Sequence, residues 1–204
     1  MQIADDQVQA VYEVDGTRLY SSTGRWLQKI CGAGELVDQQ PEGGLVDVDA
    51  LAREAAESVS IDGPQIRTSP SAGGLLYVHV PTWLWISGDW WKAYTATAST
   101  GRVSATVTAK PVSVSWSTGD GATITCDGPG TAWTPGSDDG ASDCQHTYRK
   151  ATDPADGKSI PLSATVTMEV TWTSSIGLGG TLEPIDRTAT VQVAVGEIQA
   201  IETE

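Results

Sequence analysis

This chain of 204 residues has few options for a histidine base, because its only histidines are His79 and His146. A catalytic histidine works beside a nucleophile or an acid held within reach, and the short sequence patterns of serine hydrolases, zinc peptidases and β-lactamases do not occur. His79 lies in an apolar-alternating run, where a partly buried strand histidine is expected. We therefore predict that the protein is not an enzyme.

Acidic side chains are plentiful, but they cluster where turns are expected. Asp138 and Asp139, or Asp153 and Asp156, are typical of solvated loops, and spacing alone does not identify the two carboxylates of a hydrolase, which stays a lesser alternative. With Asp143 these groups could offer oxygens to calcium, yet the spacing of an EF-hand is missing. We predict no metal and no cofactor.

The cysteines predict an oxidising compartment. Cys126 and Cys144 are 18 positions apart around a stretch rich in Gly, Pro, Ser and Asp, and no paired spacing offers a zinc site. A disulfide between them is expected to stabilise the fold by roughly 3 kcal/mol. Cys31 is left over, as an idle thiol or as a bond to a partner chain.

Charge and hydropathy exclude several partners. The formal net charge is −14, from 26 acidic and 12 basic side chains, so the molecule repels nucleic acid and anionic lipid. No run approaches the length of a membrane span, and the first residues lack the pattern of a signal peptide. The chain is then either cytoplasmic or trimmed of its signal peptide, and the disulfide favours a secreted or cell-envelope protein.

The first 64 residues predict a small hairpin-and-helix segment. Asp15-Gly16 between Val8–Val14 and Thr17–Tyr20 is a strong hairpin signal, Arg25–Ile30 continues as a strand, and Cys31–Gly44 resembles a linker.

A helix follows this segment. Asp47 is its predicted N-cap, and the helix is expected to end near Asp62-Gly63-Pro64. The apolar stripe at helical spacing comprises Val48, Leu51, Ala55 and Val59.

From residue 65 to residue 204 the period changes to that of strands, which predicts a β-sandwich. The clearest strand is Leu162–Trp172, in which apolar and polar residues alternate. Pro81 predicts a bend or a strand end within Leu75–Ile86. The other predicted strands are Gln65–Thr68, Tyr94–Ala98, Arg102–Ala109, Val112–Trp116 and Thr188–Val195, with loops at Lys110-Pro111 and Ile176–Pro184.

The segment from Val112 to Gly121, followed by His146-Thr147-Tyr148, resembles the W-D-F-G-D-G and H-x-Y pattern of PKD domains. That resemblance implies an immunoglobulin-like sandwich in which these motif residues are structural: Trp116 in the core, glycines at the turn, a carboxylate accepting backbone N–H bonds, and a phenol packed inward. Ser117 and Thr118 depart from the pattern, and the loop from Cys126 to Cys144 lengthens it. The motif residues are Trp116, Gly119, Asp120, Gly121, His146 and Tyr148.

A longer stretch, from about residue 12 to residue 200, is similar to a family of uncharacterised secreted proteins of actinobacteria. The shared landmarks are Pro81-Thr82-Trp83-Leu84-Trp85, Cys126-Asp127-Gly128-Pro129-Gly130-Thr131 and Cys144-x-His146-Thr147-Tyr148. The resemblance implies no activity, and the chain has no phosphate-binding loop with its lysine.

Tryptophan is the feature that points to binding. Trp133 lies within the disulfide loop, where little core is available, so it is expected to be exposed. The other candidates are Trp83 and Trp85 on one strand and Trp90 and Trp91 after the turn that follows it. The strand is either buried on both faces, or some of these rings form an exposed platform. We expect a secreted or surface module that mediates protein–protein interaction or scaffolding in a surface assembly. The alternative is a carbohydrate-binding module for cell-wall or extracellular polysaccharide.

Overall fold

The computed structural model describes the backbone of residues 10–14, 17–22, 25–29, 36–37, 46–137, 142–152 and 158–197, and the side chains of these residues from Val46 onward. Strands dominate these residues, and one helix precedes the sandwich. The elements are β1 Ala10–Val14, β2 Thr17–Ser22, β3 Arg25–Lys29, β4 Leu36–Val37, α1 Val48–Ser58, β5 Ile66–Ser69, β6 Leu75–Tyr77, β7 Pro81–Ile86, β8 Tyr94–Thr100, β9 Val103–Ser117, β10 Thr123–Asp127, β11 Gln145–Thr147, β12 Ile160–Ser174 and β13 Gly179–Gly196.

The first four strands form an antiparallel sheet in the order β1-β2-β3-β4. Val14 lies opposite Thr17, a register that leaves two residues for the connection, while the predicted turn Asp15-Gly16 itself lies outside the described residues. The strand β4 falls within the segment expected to be a linker. Cys31 lies outside the described residues, and the boundary between residues 64 and 65 stays a prediction.

Helix α1 begins as its sequence predicts. The Asp47 side chain accepts a hydrogen bond from the Ala50 backbone N–H at 3.0 Å, which satisfies one of the free donors of the first turn. Val48, Leu51 and Ala55 are buried, as their spacing predicts. The helix ends at Ser58, earlier than the predicted Asp62–Pro64, because Val59 adopts an extended backbone and turns its side chain into the core.

The larger sheet of the sandwich contains six strands in the order β10-β9-β12-β13-β6, with β8 also paired to β9. The fifteen-residue strand β9 pairs with β12 along its length. On its other side, β9 pairs first with β8 and then with β10. One long strand therefore joins the part of the sheet that contains β8 to the part that contains β10.

The predicted break at Lys110-Pro111 is wrong, because β9 runs through it. Pro111 lies between the end of the β8 pairing at Ala109 and the start of the β10 pairing at Ser113, where its missing N–H disrupts neither ladder. Val112 is an extra residue, since Met168 pairs with Pro111 and Thr167 with Ser113. This bulge changes which alternate residues of β9 face the core. Odd-numbered residues face it before the bulge and even-numbered residues face it afterwards: Ala105, Val107 and Ala109, then Val114 and Trp116.

The predicted loop Ile176–Pro184 is also mostly strand, because β13 begins at Gly179. Pro184 is accommodated where the register with β12 shifts, between the pairs Met168–Ile185 and Val170–Leu182. A proline is tolerated at such an irregularity, where a regular ladder bond is absent.

The smaller sheet has the order β11-β7-β5 and covers part of one face of the larger sheet. Its inward residues Leu84 and Ile86 share one buried cluster with Val114 and Val166. Helix α1 packs on the same face farther along, against β8 and the first half of β9. The mainly β sandwich with a small helical segment near its N-terminus is thus confirmed.

Pro81 begins a strand, which agrees with its predicted effect. The run Leu75–Ile86 divides into β6, which pairs in parallel with the end of β13, and β7, which is central in the smaller sheet. His79 lies in the connecting turn with φ 61° and is exposed, so its expected place in a partly buried strand is wrong. A histidine tolerates this left-handed backbone better than a β-branched residue would.

Candidate binding loop and the network at its base

The structure divides the five tryptophans predicted to bind. Trp83 is 3% exposed and Trp90 is 4% exposed, so these two indoles are not available for a stacking platform. Trp85 and Trp91 are partly buried. Trp133 is 41% exposed and, among the described side chains, is the one exposed tryptophan.

Trp83 and Trp90 are buried for different reasons. Trp83 lies on the central strand of the smaller sheet, between Ser69 on β5 and Gln145 on β11, so neighbours flank it on both sides. The Trp90 indole N–H donates to the Asp62 carbonyl at 3.0 Å, and the Tyr94 hydroxyl donates to the Trp90 carbonyl at 2.8 Å. Burying an indole is favourable when its N–H finds such an acceptor.

The loop that carries Trp133 is anchored by the predicted disulfide, which is present. Cys126 belongs to β10 in the larger sheet, and Cys144 directly precedes β11 in the smaller sheet, with 5.8 Å between their Cα atoms. Both residues are buried. The covalent bond therefore joins the two layers of the sandwich at the point where the loop leaves and re-enters it.

The first residues of this loop continue the smaller sheet. The Pro129 carbonyl accepts a hydrogen bond from the Ile86 N–H at 2.8 Å, in line with the bond from the Leu84 N–H to the Cys144 carbonyl at 2.9 Å. Gly130 has φ +80° and sits so close to β7 that a Cβ there would collide with the Leu84 carbonyl oxygen. The requirement for glycine is thus both conformational and steric.

The outer part of the loop is cross-braced. The Thr131 hydroxyl donates to the Asp143 carboxylate at 2.9 Å, which joins the segment that leaves the sandwich to the segment that returns to it. Residues Thr134 to Ser137 form a turn in which the Ser137 N–H donates to the Thr134 carbonyl at 3.0 Å, with Pro135 second and Gly136 third at φ 91°. This is the pattern of a type II turn. Trp133 therefore projects from a loop with fixed ends and a defined turn, while Asp138 and Asp139 lie outside the described residues.

The motif residues meet in a hydrogen-bonded network beside this loop. His146 Nε2 lies 2.8 Å from Asp120 Oδ2, while Asp120 Oδ1 accepts from the Thr118 hydroxyl at 2.6 Å and from the Ala122 N–H at 3.2 Å. Tyr148 is buried and donates to the Thr118 carbonyl at 3.2 Å, and its ring meets the His146 ring edge-on with 4.6 Å between centroids.

This network changes the ionisation of two of its members. Burial by itself raises the pKa of Asp120, but the hydrogen bonds from Thr118, His146 and Ala122 outweigh it, so that pKa lies below its ordinary value. Burial, with the nearby Asp120 charge, raises the pKa of Tyr148 to about 12. An ionised Asp120 and a neutral Tyr148 hold the turn from Thr118 to Ala122 against β11.

The other motif residues form the core and the turn next to this network. Trp116 is fully buried, and Gly119 and Gly121 have φ of 82° and 96°, which a turn between β9 and β10 requires. Among the described residues, no group of three or more His, Cys, Asp or Glu side chains is placed to hold a metal ion. Asp153 and Asp156 lie outside the described residues.

Sequence reasoning missed three contributors to the site. Thr118 departs from the motif, yet it links Asp120 to Tyr148. Gly130 and the pair Thr131 with Asp143 gave no periodic signal, although a glycine flanked by proline and threonine inside a disulfide loop was a hint of close backbone approach.

Comparisons with known proteins returned no match to a family model, a curated protein or a solved structure. In the part of the chain that the structure describes, no helix is both long and apolar enough to cross a membrane.

Proposed function

We propose that this chain is a non-catalytic, extracellular or cell-envelope module that binds a protein partner through the loop between Cys126 and Cys144. The observation that carries the proposal is the 41% exposure of Trp133 on a loop whose ends are tied into both sheets. Exposed tryptophans dominate binding energy when a rigid scaffold presents them, because little conformational entropy is then lost.

The compartment and the family are part of the proposal. A buried disulfide between Cys126 and Cys144 is stable in oxidising surroundings, which supports secretion or display on the envelope. The Asp120, His146 and Tyr148 contacts fit the structural part that the PKD resemblance gives them. They act by holding the base of the loop and leave recognition to its outer part.

A carbohydrate ligand at the same loop is the second candidate. Hydroxyl groups of Thr131, Thr134 and Ser137 accompany the exposed indole in the loop, and sugars are bound by such combinations of ring stacking and hydrogen bonds. The burial of Trp83 and Trp90 removes the wide platform that the sequence allowed. Among the tryptophans whose side chains the structure describes, Trp133 is therefore the ring on which a glycan would stack.

The test compares three forms of the purified chain: the wild type, Trp133→Ala and Ile176→Ala. Ile176 is the matched control, because it is 40% exposed on another hairpin turn. Each form is immobilised, exposed to the secreted and envelope fractions of the producing organism and to a glycan array, and every retained partner is purified for a Kd measurement.

We expect a protein partner that binds the wild type and Ile176→Ala alike and binds Trp133→Ala at least about 30-fold more weakly, the effect of losing about 2 kcal/mol. If Trp133→Ala binds the partner as tightly as the wild type, the loop is not the binding site. A glycan whose binding shows this pattern supports the second candidate in place of the first.

A further inference from the structure

The outward face of the larger sheet carries an ordered field of hydroxyl groups. Two neighbouring rows run across β10, β9, β12 and β13, and each position in them is a serine or a threonine on the side opposite the core. We call these eight residues the hydroxyl face. They are Thr123, Ser117, Ser163 and Thr190 in one row, and Thr125, Ser115, Thr165 and Thr188 in the other.

The register places these side chains on a regular grid. Adjacent strands are about 4.8 Å apart, and alternate residues along a strand are about 6.7 Å apart, so each row spans about 14 Å. Ser163, Ser115 and Thr165 on the two middle strands are partly exposed, and the other five members are exposed. The hydroxyl face is therefore open to a flat, extended ligand.

Four side chains of the hydroxyl face are held in place before any ligand binds. The Ser163 and Thr190 hydroxyls lie 2.8 Å apart, and those of Thr165 and Thr188 lie 2.9 Å apart. Threonine is also restricted at χ1 by its β-branch. Fixing these groups in a complex thus costs little additional side-chain entropy.

Charge narrows the kind of ligand. None of the eight side chains ionises, while the next row across the sheet holds Asp127 and Asp186, and the whole chain carries a net charge of −14. An anionic polymer would be repelled by these two carboxylates. A cationic ligand would be attracted to the carboxylates, which lie beside the hydroxyl face and not on it. The side chains on the face itself match a neutral ligand that both donates and accepts hydrogen bonds.

We propose that the hydroxyl face binds an extended, neutral polysaccharide chain that lies across the strands. Sugar hydroxyls complement serine and threonine hydroxyls, since each group is donor and acceptor. A row of four hydroxyls presents a repeated contact along such a chain, so weak individual bonds add up over its length. This surface is separate from the Trp133 loop and does not depend on the function proposed for it.

The test measures retention of the purified chain on microcrystalline cellulose and on crystalline chitin, with carboxymethyl cellulose as the anionic counterpart. The variant combines Thr165→Val with Thr188→Val, which removes two hydroxyls and keeps the shape and strand preference of the side chains. The control combines Ser60→Ala with Thr147→Val, two exposed positions outside the hydroxyl face.

We expect retention on a neutral polysaccharide, weaker retention on the anionic one, and a loss of about two- to tenfold per removed hydrogen bond in the Thr165/Thr188 variant. The control and Trp133→Ala should bind like the wild type. The proposal is overturned by no retention on either neutral polymer, or by equal retention of the Thr165/Thr188 variant. It is also overturned if Trp133→Ala alone abolishes binding, which assigns the glycan to the loop. Size-exclusion chromatography of the same proteins overturns it as well if the wild type is a dimer and the Thr165/Thr188 variant a monomer, which assigns the hydroxyl face to a second copy of this chain.

Discussion

His146 and Asp120 are 26 positions apart in the chain, and His146 Nε2 lies 2.8 Å from Asp120 Oδ2. Since the carboxylate has a lowered pKa and accepts hydrogen bonds, the imidazole nitrogen is the donor. The contact ties the turn after β9 to the strand that follows the disulfide loop. Two segments that flank the loop are therefore fixed to each other independently of the cysteines.

Replacing Asp120 with Asn should weaken the fold at neutral pH and make little difference in acid. The folded-state pKa of Asp120 is lowered, so its stabilising contribution is present above the ordinary value of 3.8 and is lost as the pH falls through the folded value. Urea denaturation of wild type and Asp120→Asn between pH 7 and pH 2 measures the difference. Asp127→Asn on β10 is the control, and a gap between wild type and Asp120→Asn that stays constant down to pH 2 would contradict the assignment.

The raised pKa of Tyr148 predicts that the fold loses stability at alkaline pH. Its pKa is raised from 10.0 to about 12, so the neutral phenol stabilises the fold fully below pH 10 and this contribution disappears as the pH rises towards 12. Tyr148→Phe should be less stable at pH 8, because the Thr118 carbonyl loses its donor, and should lose less stability than the wild type between pH 10 and pH 12. Parallel alkaline denaturation curves for the two proteins would count against this.

Gly130→Ala should destabilise the chain more than Gly128→Ala. Both glycines have positive φ, which costs an alanine of order 1–3 kcal/mol, but only at Gly130 does the added methyl group meet β7. At Gly128 nothing lies within 4 Å of that position. The midpoints of thermal unfolding give the comparison, and equal losses in the two variants would show that Gly130 does not pack against Leu84 as described.

Removing the disulfide should cost roughly 3 kcal/mol of the free energy of unfolding, the value for a closed loop of this length. The double change Cys126→Ala with Cys144→Ala is suitable because both positions are buried. Reduced wild type should denature in urea at the same concentration as the double variant. If the oxidised wild type also denatures there, the bond contributes nothing to stability.

The sequence predicted those parts of the fold that local patterns control. Asp47 caps the helix, Leu162–Trp172 alternates as a strand, and Pro81 begins a new strand, since each effect depends on neighbouring residues. The predicted break at Lys110-Pro111 is wrong because the tolerance for proline depends on two different partner strands. Pairing between strands that are far apart in the sequence cannot be predicted from a local pattern.

In the candidate site, too, the sequence predicts features that depend on neighbouring residues and misses those that depend on distant ones. Trp133 could be placed at the surface from the Gly, Pro and Asp around it. The burial of Trp83 and Trp90 depends on flanking strands and on the distant Asp62 carbonyl. The pairing of Thr131 with Asp143 likewise arises only when the loop closes.

Val112, the extra residue in β9, has a consequence for how this sequence can change over generations. Loss of that single codon would preserve composition and strand preference, yet it would reverse one half of β9, sending Thr106 and Thr108 towards the helix and Val107 into water. Insertions and deletions should therefore accumulate in the hairpin turns and be purged at position 112. A strand that looks continuous therefore has one position at which its length decides which residues of one half face the core.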